Sequence, residues 1–346
     1  MTPSGILPDR PLPFAGRQRR LIAGILALAA LSPPPGSAAE SGVPGPPREP
    51  WISTGLRDHP LAGRIWETGS RRFRTPEELV GRLAGARLIL LGETHDNPDH
   101  HRIQAWIVAR LLADGRRPGL ALEMWGEDQQ AAIDSHLSDH PGDAAGLGPA
   151  TGWAESGWPA FGQYLPVIAP VVARNLPLMA ANLPRRLIRP VMADGLAALG
   201  AARREALGLD RPLSESLTQS MAREIIEAHC GQLSASRAAT FVHVQIARDA
   251  VLADGLIRAA RIAGDGAILI AGSGHVRTDR GVPRYLRLRG AGGPIVSVAA
   301  IEVSAGRTDP ADYAEAYGGA ELPFDHAWFT PRRQRQDPCK AFNKKQ

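Results

Sequence analysis

Cysteine is nearly absent from this chain. There are two in 346 residues, Cys230 and Cys339, and neither lies in a CxxC pair or at a metal-site spacing. A zinc site built on several thiolates, an iron–sulfur cluster and CxxC redox chemistry are therefore excluded. Also missing is any apolar run long enough to span a bilayer in the mature chain. Glycine-rich loops occur, but none has the third glycine of a dinucleotide fingerprint or the lysine of a P-loop, which argues against nucleotide binding. The serine in Gly272-Ser273-Gly274-His275 does not make a GxSxG elbow either.

A one-signed body is lacking too. The formal charge is +5, but residues 1–39 carry +3 and residues 330–346 carry +5, which leaves the body between them at −3. No polyanion-binding surface is expected, and nucleic acid is not a partner. The basic tail, residues 331–346 with Arg332, Arg333 and Arg335, reads as a solvated end.

What is present begins with a leader. Arg17, Arg19 and Arg20 precede the apolar run 21–31 and the small residues Ser37, Ala38 and Ala39. This is the pattern of a secretory signal peptide over residues 1–39, so the mature chain is expected to be periplasmic or secreted. The paired arginines admit Tat export, but without a fuller motif ordinary Sec export is preferred. No cysteine stands near the cleavage site for lipid attachment. In an exported chain the two cysteines are expected to form one bridge that pins the tail to the body.

Residues 87–101, RLILLGETHDNPDHH, organise the rest. The aliphatic run 88–91 suits a strand buried on both faces, Gly92 ends it, and Asn97 with Pro98 starts a helix. Similar apolar runs recur at 119–124, 176–182, 267–271 and 294–303, with helical periodicity at 101–114 and 161–175. Parallel strands joined by right-handed crossovers bring their carboxyl ends to one edge. The expected fold is α/β, a three-layer α/β/α arrangement with a mainly parallel sheet of about five strands. Residues 40–84 form a leader and first helix, and residues 85–183 and 265–330 the two parts of the core. Residues 184–264 show no strand pattern and form a helical insertion or lid.

The polar residues come last in these runs: Glu93 and His95, Glu123, Asn182, and His275 after the GSG turn. A carboxylate beside an imidazole can ligate a metal or move protons. Gln245 and Asp249, four apart on the helix expected at 235–263, share a face and suit either packing or ligand contact.

In order, LGETHDNP with His101, LEM, NLPR, GSGHV and GVP resemble the ChaN-like haem-binding uptake family of the Tiki superfamily. The resemblance runs from about residue 87 to the segment 325–332. It implies an exported bacterial protein linked to haem or iron, with haem as cofactor. The family is often lipoprotein, and the missing lipidation cysteine departs from that form. On this reading Trp153, Trp158 and Tyr164 wall a pocket and a tyrosine or histidine reaches the iron. Tyr164 is taken from among Tyr164, Tyr285, Tyr313 and Tyr317, with His101, Asn182, Gln245 and Asp249 as further contacts. The wider superfamily includes erythromycin-esterase-like and Tiki-type metal-dependent hydrolases. It implies the alternative in which Glu93, His95, Glu123 and His275 are catalytic, on a divalent metal ion that they hold. The ligand is then haem or another small molecule, and a homodimer is one candidate assembly.

Overall fold

A computed structural model describes residues 44–336 and Cys339. The expected signal peptide lies outside the described residues. The sheet strands are β1 (Ile65–Glu67), β2 (Arg72–Arg74), β3 (Leu88–Glu93), β4 (Gly119–Gly126), β5 (Leu178–Asn182), β6 (Ala267–Gly272), β7 (Ile295–Glu302) and β8 (His326–Thr330). They form one sheet of eight strands in the order β2-β1-β8-β7-β3-β6-β4-β5. From β8 to β5 neighbouring strands are parallel, while β1 runs antiparallel to both β2 and β8.

The sequence expectation of about five strands is thus too few. The three others have local reasons for being hard to read. β1 and β2 are three residues each, IWE and RFR, too short for an alternation to register. β8, HAWFT, is fully buried but only five residues long and opens on a histidine.

The helices are α1 (Pro76–Ala84), α2 (Pro98–Ala113), α3 (Gln130–Asp139), α4 (Leu147–Ala150), α5 (Leu165–Val172), α6 (Arg185–Asp194), α7 (Ala201–Ala206), α8 (Glu215–Ala228), α9 (Ala235–Ala263) and α10 (Val282–Leu288). Helix α1 starts where the sequence says it must. Thr75 and Glu78 form a reciprocal capping box, with Pro76 in the first turn. Asn97 caps α2 by accepting from the Asp99 amide at 3.0 Å.

Side chains alternate across the sheet and split the interior into two cores. Leu88 and Leu90 of β3 pack with α9 and α10, whereas Ile89 and Leu91 pack with α1, α2 and α5. Both faces are covered by helices, which is the three-layer arrangement. The insertion is helical throughout α6 to α9, and α9 packs on β4, β5 and β6.

This layering places the site. After β3 the chain crosses one face through α2 to reach β4, on the far side of β6. After β6 it crosses the other face through α10 to reach β7, on the far side of β3. Adjacent strands whose following helices leave to opposite faces open a crevice at their carboxyl ends. Here that crevice lies between the loops after β3 and β6.

Candidate functional site

Glu93 is the last residue of β3 and pairs in register with Gly272, the last of β6. The glycines at these ends leave little room for a side chain, Gly92 least of all. A Cβ on Gly92 would come within 2.4 Å of Val276 Cγ2, and one on Gly272 within 3.0 Å of His95 Nε2. His95 therefore packs directly against the backbone of β6.

Two acid–imidazole groups meet in the crevice. In the first, Glu93 Oε1 lies 2.8 Å from His95 Nδ1 and accepts a 2.6 Å hydrogen bond from the Tyr164 hydroxyl. Glu93 Oε2 lies 3.3 Å from His101 Nδ1, while His101 Nε2 donates to the His95 carbonyl at 2.9 Å. Burial alone would push the Glu93 carboxyl up, but the neighbouring imidazoles of His101 and His95 outweigh it and hold it at about 2. Burial and the charge on Glu93 push the Tyr164 phenol the other way, well above its ordinary range.

In the second group, Glu123 of β4 lies 3.2 Å from His275 Nε2 through Oε1 and accepts from the Gly272 amide at 2.7 Å through Oε2. His275 Nδ1 is 2.6 Å from Asp249 Oδ1 and 3.0 Å from Gln245 Nε2, both on α9. Burial disfavours charge on His275, yet Glu123 and Asp249 on either side raise it to about 10. The Glu123 carboxyl is lowered despite burial, by His275 above all, and the Asp249 carboxyl is raised by burial. The groups adjoin where His95 Nε2 stands 3.9 Å from Glu123 Oε2.

All four residues read from strand ends, Glu93, His95, Glu123 and His275, are thus brought together. Of them, His95 alone is open: its side chain is 33% exposed, against 7% for His275 and 2% or less for the two glutamates. Its Nδ1 is fixed by Glu93 and its Nε2 makes no hydrogen bond among the described residues. The His95 ring meets Trp158 edge to face at 4.8 Å. Trp158, Trp153 and Phe161 line an adjoining cleft of about 590 Å³.

The other expected contacts have structural employment. Tyr164 is fully buried with its hydroxyl on Glu93, so it holds the carboxylate and would have to leave it to meet an iron. Asn182 donates to the Glu123 carbonyl at 2.7 Å and accepts from the Leu183 amide, which fixes the end of β4 to that of β5. Gln245 and Asp249 both reach His275 Nδ1. Among the described residues no group of three or more His, Cys, Asp or Glu side chains is disposed to hold a metal ion. The carboxylate oxygens are instead engaged by imidazoles, a phenol and a backbone amide.

Sequence reasoning missed His100. It accepts from the Thr94 amide through Nδ1 at 2.8 Å, and its Nε2 donates to Thr330 Oγ1 at 2.8 Å. Burial depresses it to about 4, in keeping with this neutral tautomer. It ties the loop after β3 to β8, and the signal available was the histidine doublet at 100–101. Asp96 lies in the same loop. It faces the basic tail, where Arg335 Nε reaches Asp96 Oδ2 at 2.7 Å and Arg335 Nη1 reaches Glu302 Oε2 at 2.7 Å. The tail residues expected to be solvated are in this part ion-paired.

A family profile described as haem-binding uptake, Tiki superfamily, ChaN matches residues 79–286. No curated protein matches the chain. Among solved structures, ChaN of Campylobacter jejuni, described with cofacial haem binding, aligns with a TM-score of 0.58 at 21% identity, covering 76% of this chain and 95% of that one. A mutant of the erythromycin esterase EreC in its open conformation aligns at a TM-score of 0.40 and 14% identity, covering 80% and 86%. A succinoglycan biosynthesis protein aligns at 0.39 and 12% identity, covering 66% and 69%. At these identities the likeness to ChaN bears on the fold.

Proposed function

Because the chain belongs to the ChaN haem-binding uptake family of the Tiki superfamily, we propose that it is an exported protein that binds haem for uptake or handling of haem or iron. The observation that supports this reading is the state of His95. It is an accessible imidazole, oriented by a carboxylate on one nitrogen, unbonded on the other, and set against the tryptophan wall of a cleft. Haem, when bound, supplies a flat apolar macrocycle and an iron open to an axial ligand. Trp153, Trp158 and Phe161 offer the aromatic surface for such a ring. Glu93 accepts from Nδ1, so in the neutral ring Nε2 would carry the lone pair; burial opposes protonation of that ring, while Glu93 and Glu123 raise its pKa on balance, and Tyr164 and His101 hold Glu93 in turn. His95 rather than Tyr164 is the residue that would hold the iron, because the Tyr164 hydroxyl is buried and already donated to Glu93.

Titration of the purified mature chain with haemin, followed by absorption, tests this. A saturable change in the Soret band is expected, together with a shifted maximum or weaker binding in His95→Ala and an unchanged maximum in Tyr164→Phe. Absence of saturable binding would remove the reading. A changed maximum in Tyr164→Phe alone would return the ligand to that tyrosine.

One observation also favours a hydrolytic reading. An unbonded Nε2 backed by Glu93 at 2.8 Å is the geometry of a general base, and His275 between two carboxylates is a buried cation beside it. His95 would take a proton from water while His275 steadied negative charge. Hydrolysis of p-nitrophenyl acetate by haem-free protein, lost in His95→Ala, would support this. A rate equal to buffer would dismiss it.

A further inference from the structure

Thr94 sits between Glu93 and His95, and Ser273 two residues before His275, yet they line a different cavity of about 340 Å³ that none of Glu93, His95, Glu123 or His275 lines. It lies at the carboxyl ends of β3, β6 and β7, where the residues after those strands converge. In open α/β sheets this edge is where ligands bind. The volume is near the lower end of the range of about 300–1,000 Å³ for small-molecule pockets.

Its charge is unbalanced. Arg307 and Arg332 line it, and the only acidic residue in its wall is Glu302. Glu302 is already taken, by Arg335 Nη1 at 2.7 Å, Arg335 Nη2 at 2.8 Å and Asn97 Nδ2 at 2.7 Å. The nearest carboxylate to Arg307 is that of Glu315, 3.9 Å away and 89% exposed, a contact worth little in water. The Arg332 side chain has no ion-pair partner among the described residues, although its backbone is fixed by reciprocal hydrogen bonds with Gly55 at 2.7 and 2.9 Å. Hydroxyls complete the wall. Thr94, Ser273, Ser304 and Tyr317 are among the lining residues; the Ser273 hydroxyl donates to the Glu93 carbonyl at 3.2 Å, and the Tyr317 hydroxyl has no hydrogen bond among the described residues.

One guanidinium unpaired among the described residues, a second with only a weak, exposed carboxylate contact, and nearby hydroxyl donors are a recognition set for oxygen anions, which an arginine fork meets with two parallel hydrogen bonds. We propose that this cavity is a second ligand site, independent of the haem reading, that binds a small molecule through an oxyanion group, carboxylate or phosphate. The bound anion neutralises Arg307 and Arg332 and accepts from the hydroxyls of Tyr317, Ser304 and Thr94, that of Ser273 being already donated to the Glu93 carbonyl. Its neighbours Thr94 and Ser273 connect it in sequence to Glu93, His95 and Gly272, so the ligand is held beside the Glu/His crevice.

Isothermal titration calorimetry of the full mature chain with inorganic phosphate and, separately, with succinate tests the assignment. One-to-one saturable heat is expected with at least one of them. Arg307→Gln and Arg332→Gln should each weaken it about tenfold or more, the loss expected for one charge-assisted contact. Arg287→Gln, at an exposed arginine that lines no part of this cavity, should bind like the wild type. Tyr317→Phe, which keeps the ring, provides a milder variant should either arginine change disturb folding, as judged by circular dichroism. Heat with phosphate alone assigns a phosphate group, and heat with succinate alone a carboxylate. No saturable heat with either anion, or wild-type affinity in all three cavity variants, overturns the proposal. Haemin titration reads the other site, so failure here leaves that result standing.

Discussion

His275 shows what a buried charge needs in order to persist. Burial costs an imidazolium several kcal/mol, and Asp249 at 2.6 Å and Glu123 at 3.2 Å offset that cost. Its folded pKa of about 10 lies above the ordinary 6.5, so its contribution to stability is complete below about pH 6.5. The contribution is lost as pH rises towards 10. His275→Gln should therefore be less stable than the wild type by about 3–5 kcal/mol at pH 6, because it leaves two buried carboxylates unpaired. The gap should narrow steadily between pH 7 and 10, as read from urea denaturation across that range. A gap independent of pH would mean that His275 is neutral in the folded state. Glu93 works in the opposite direction, since its pKa near 2 lies below the ordinary 4.5. Its contribution is present above pH 4.5 and fades as pH falls towards 2. The four central residues were legible in the sequence because each closes or follows an apolar run whose direction the crossovers fix. Tyr164 in its actual role was not, since its hydroxyl meets a carboxylate 71 residues away and no local pattern encodes that pairing.

At the scale of elements, α9 illustrates how closely helix and sheet are fitted. Gly255 faces β5 so tightly that an added Cβ would stand 2.6 Å from Ala181 Cβ and 2.9 Å from Ala181 Cα. Glycine to alanine in a helix interior ordinarily stabilises by about 1 kcal/mol. Here the backbone approach decides the sign. Gly255→Ala should destabilise by about 1–3 kcal/mol, the usual range for overpacking, measurable by urea denaturation. Equal or greater stability would show that α9 can move off the sheet freely. The residue after Ala181 is Asn182, which anchors Glu123, so a displaced helix also loosens the second acid–imidazole group. The bounds of α9 were readable because twenty-nine residues carry many repeats of the 3.6 period. β1, β2 and β8 were not, since three to five residues give a two-residue alternation nothing to repeat. Their place comes from pairing with partners far along the chain, as Ile65 pairs with Trp328.

For the molecule as a whole, the tail acts as a tie across the carboxyl edge. Arg335 joins Asp96, three residues past the strand end of β3, to Glu302 at the end of β7. Four residues on, Cys339 is bonded to Cys230, at the turn between α8 and α9, as two cysteines in an exported chain were expected to be. The bridge closes a separation of 109 residues. A loop of that size confines the unfolded chain by nearly 5 kcal/mol in the entropic account, and measured effects are typically about 2–4 kcal/mol. The ion pairs are partly exposed and worth about 1 kcal/mol or less each. The two ties can be separated by their response to salt and to reductant. Reduction, or the Cys230→Ser/Cys339→Ser pair, should lower unfolding stability by about 2–4 kcal/mol at any ionic strength. Arg335→Ala should cost about 1 kcal/mol at low salt and almost nothing near 1 M, where the Debye length falls to about 3 Å. Urea denaturation of the four proteins at two salt concentrations resolves both. If reduction left the midpoint unmoved, the bridge would tie segments that already stay together in the unfolded chain, and the tail would contribute through its non-covalent contacts, those of Arg335 and Arg333 with Asp96 and Glu302 and of Arg332 with Gly55.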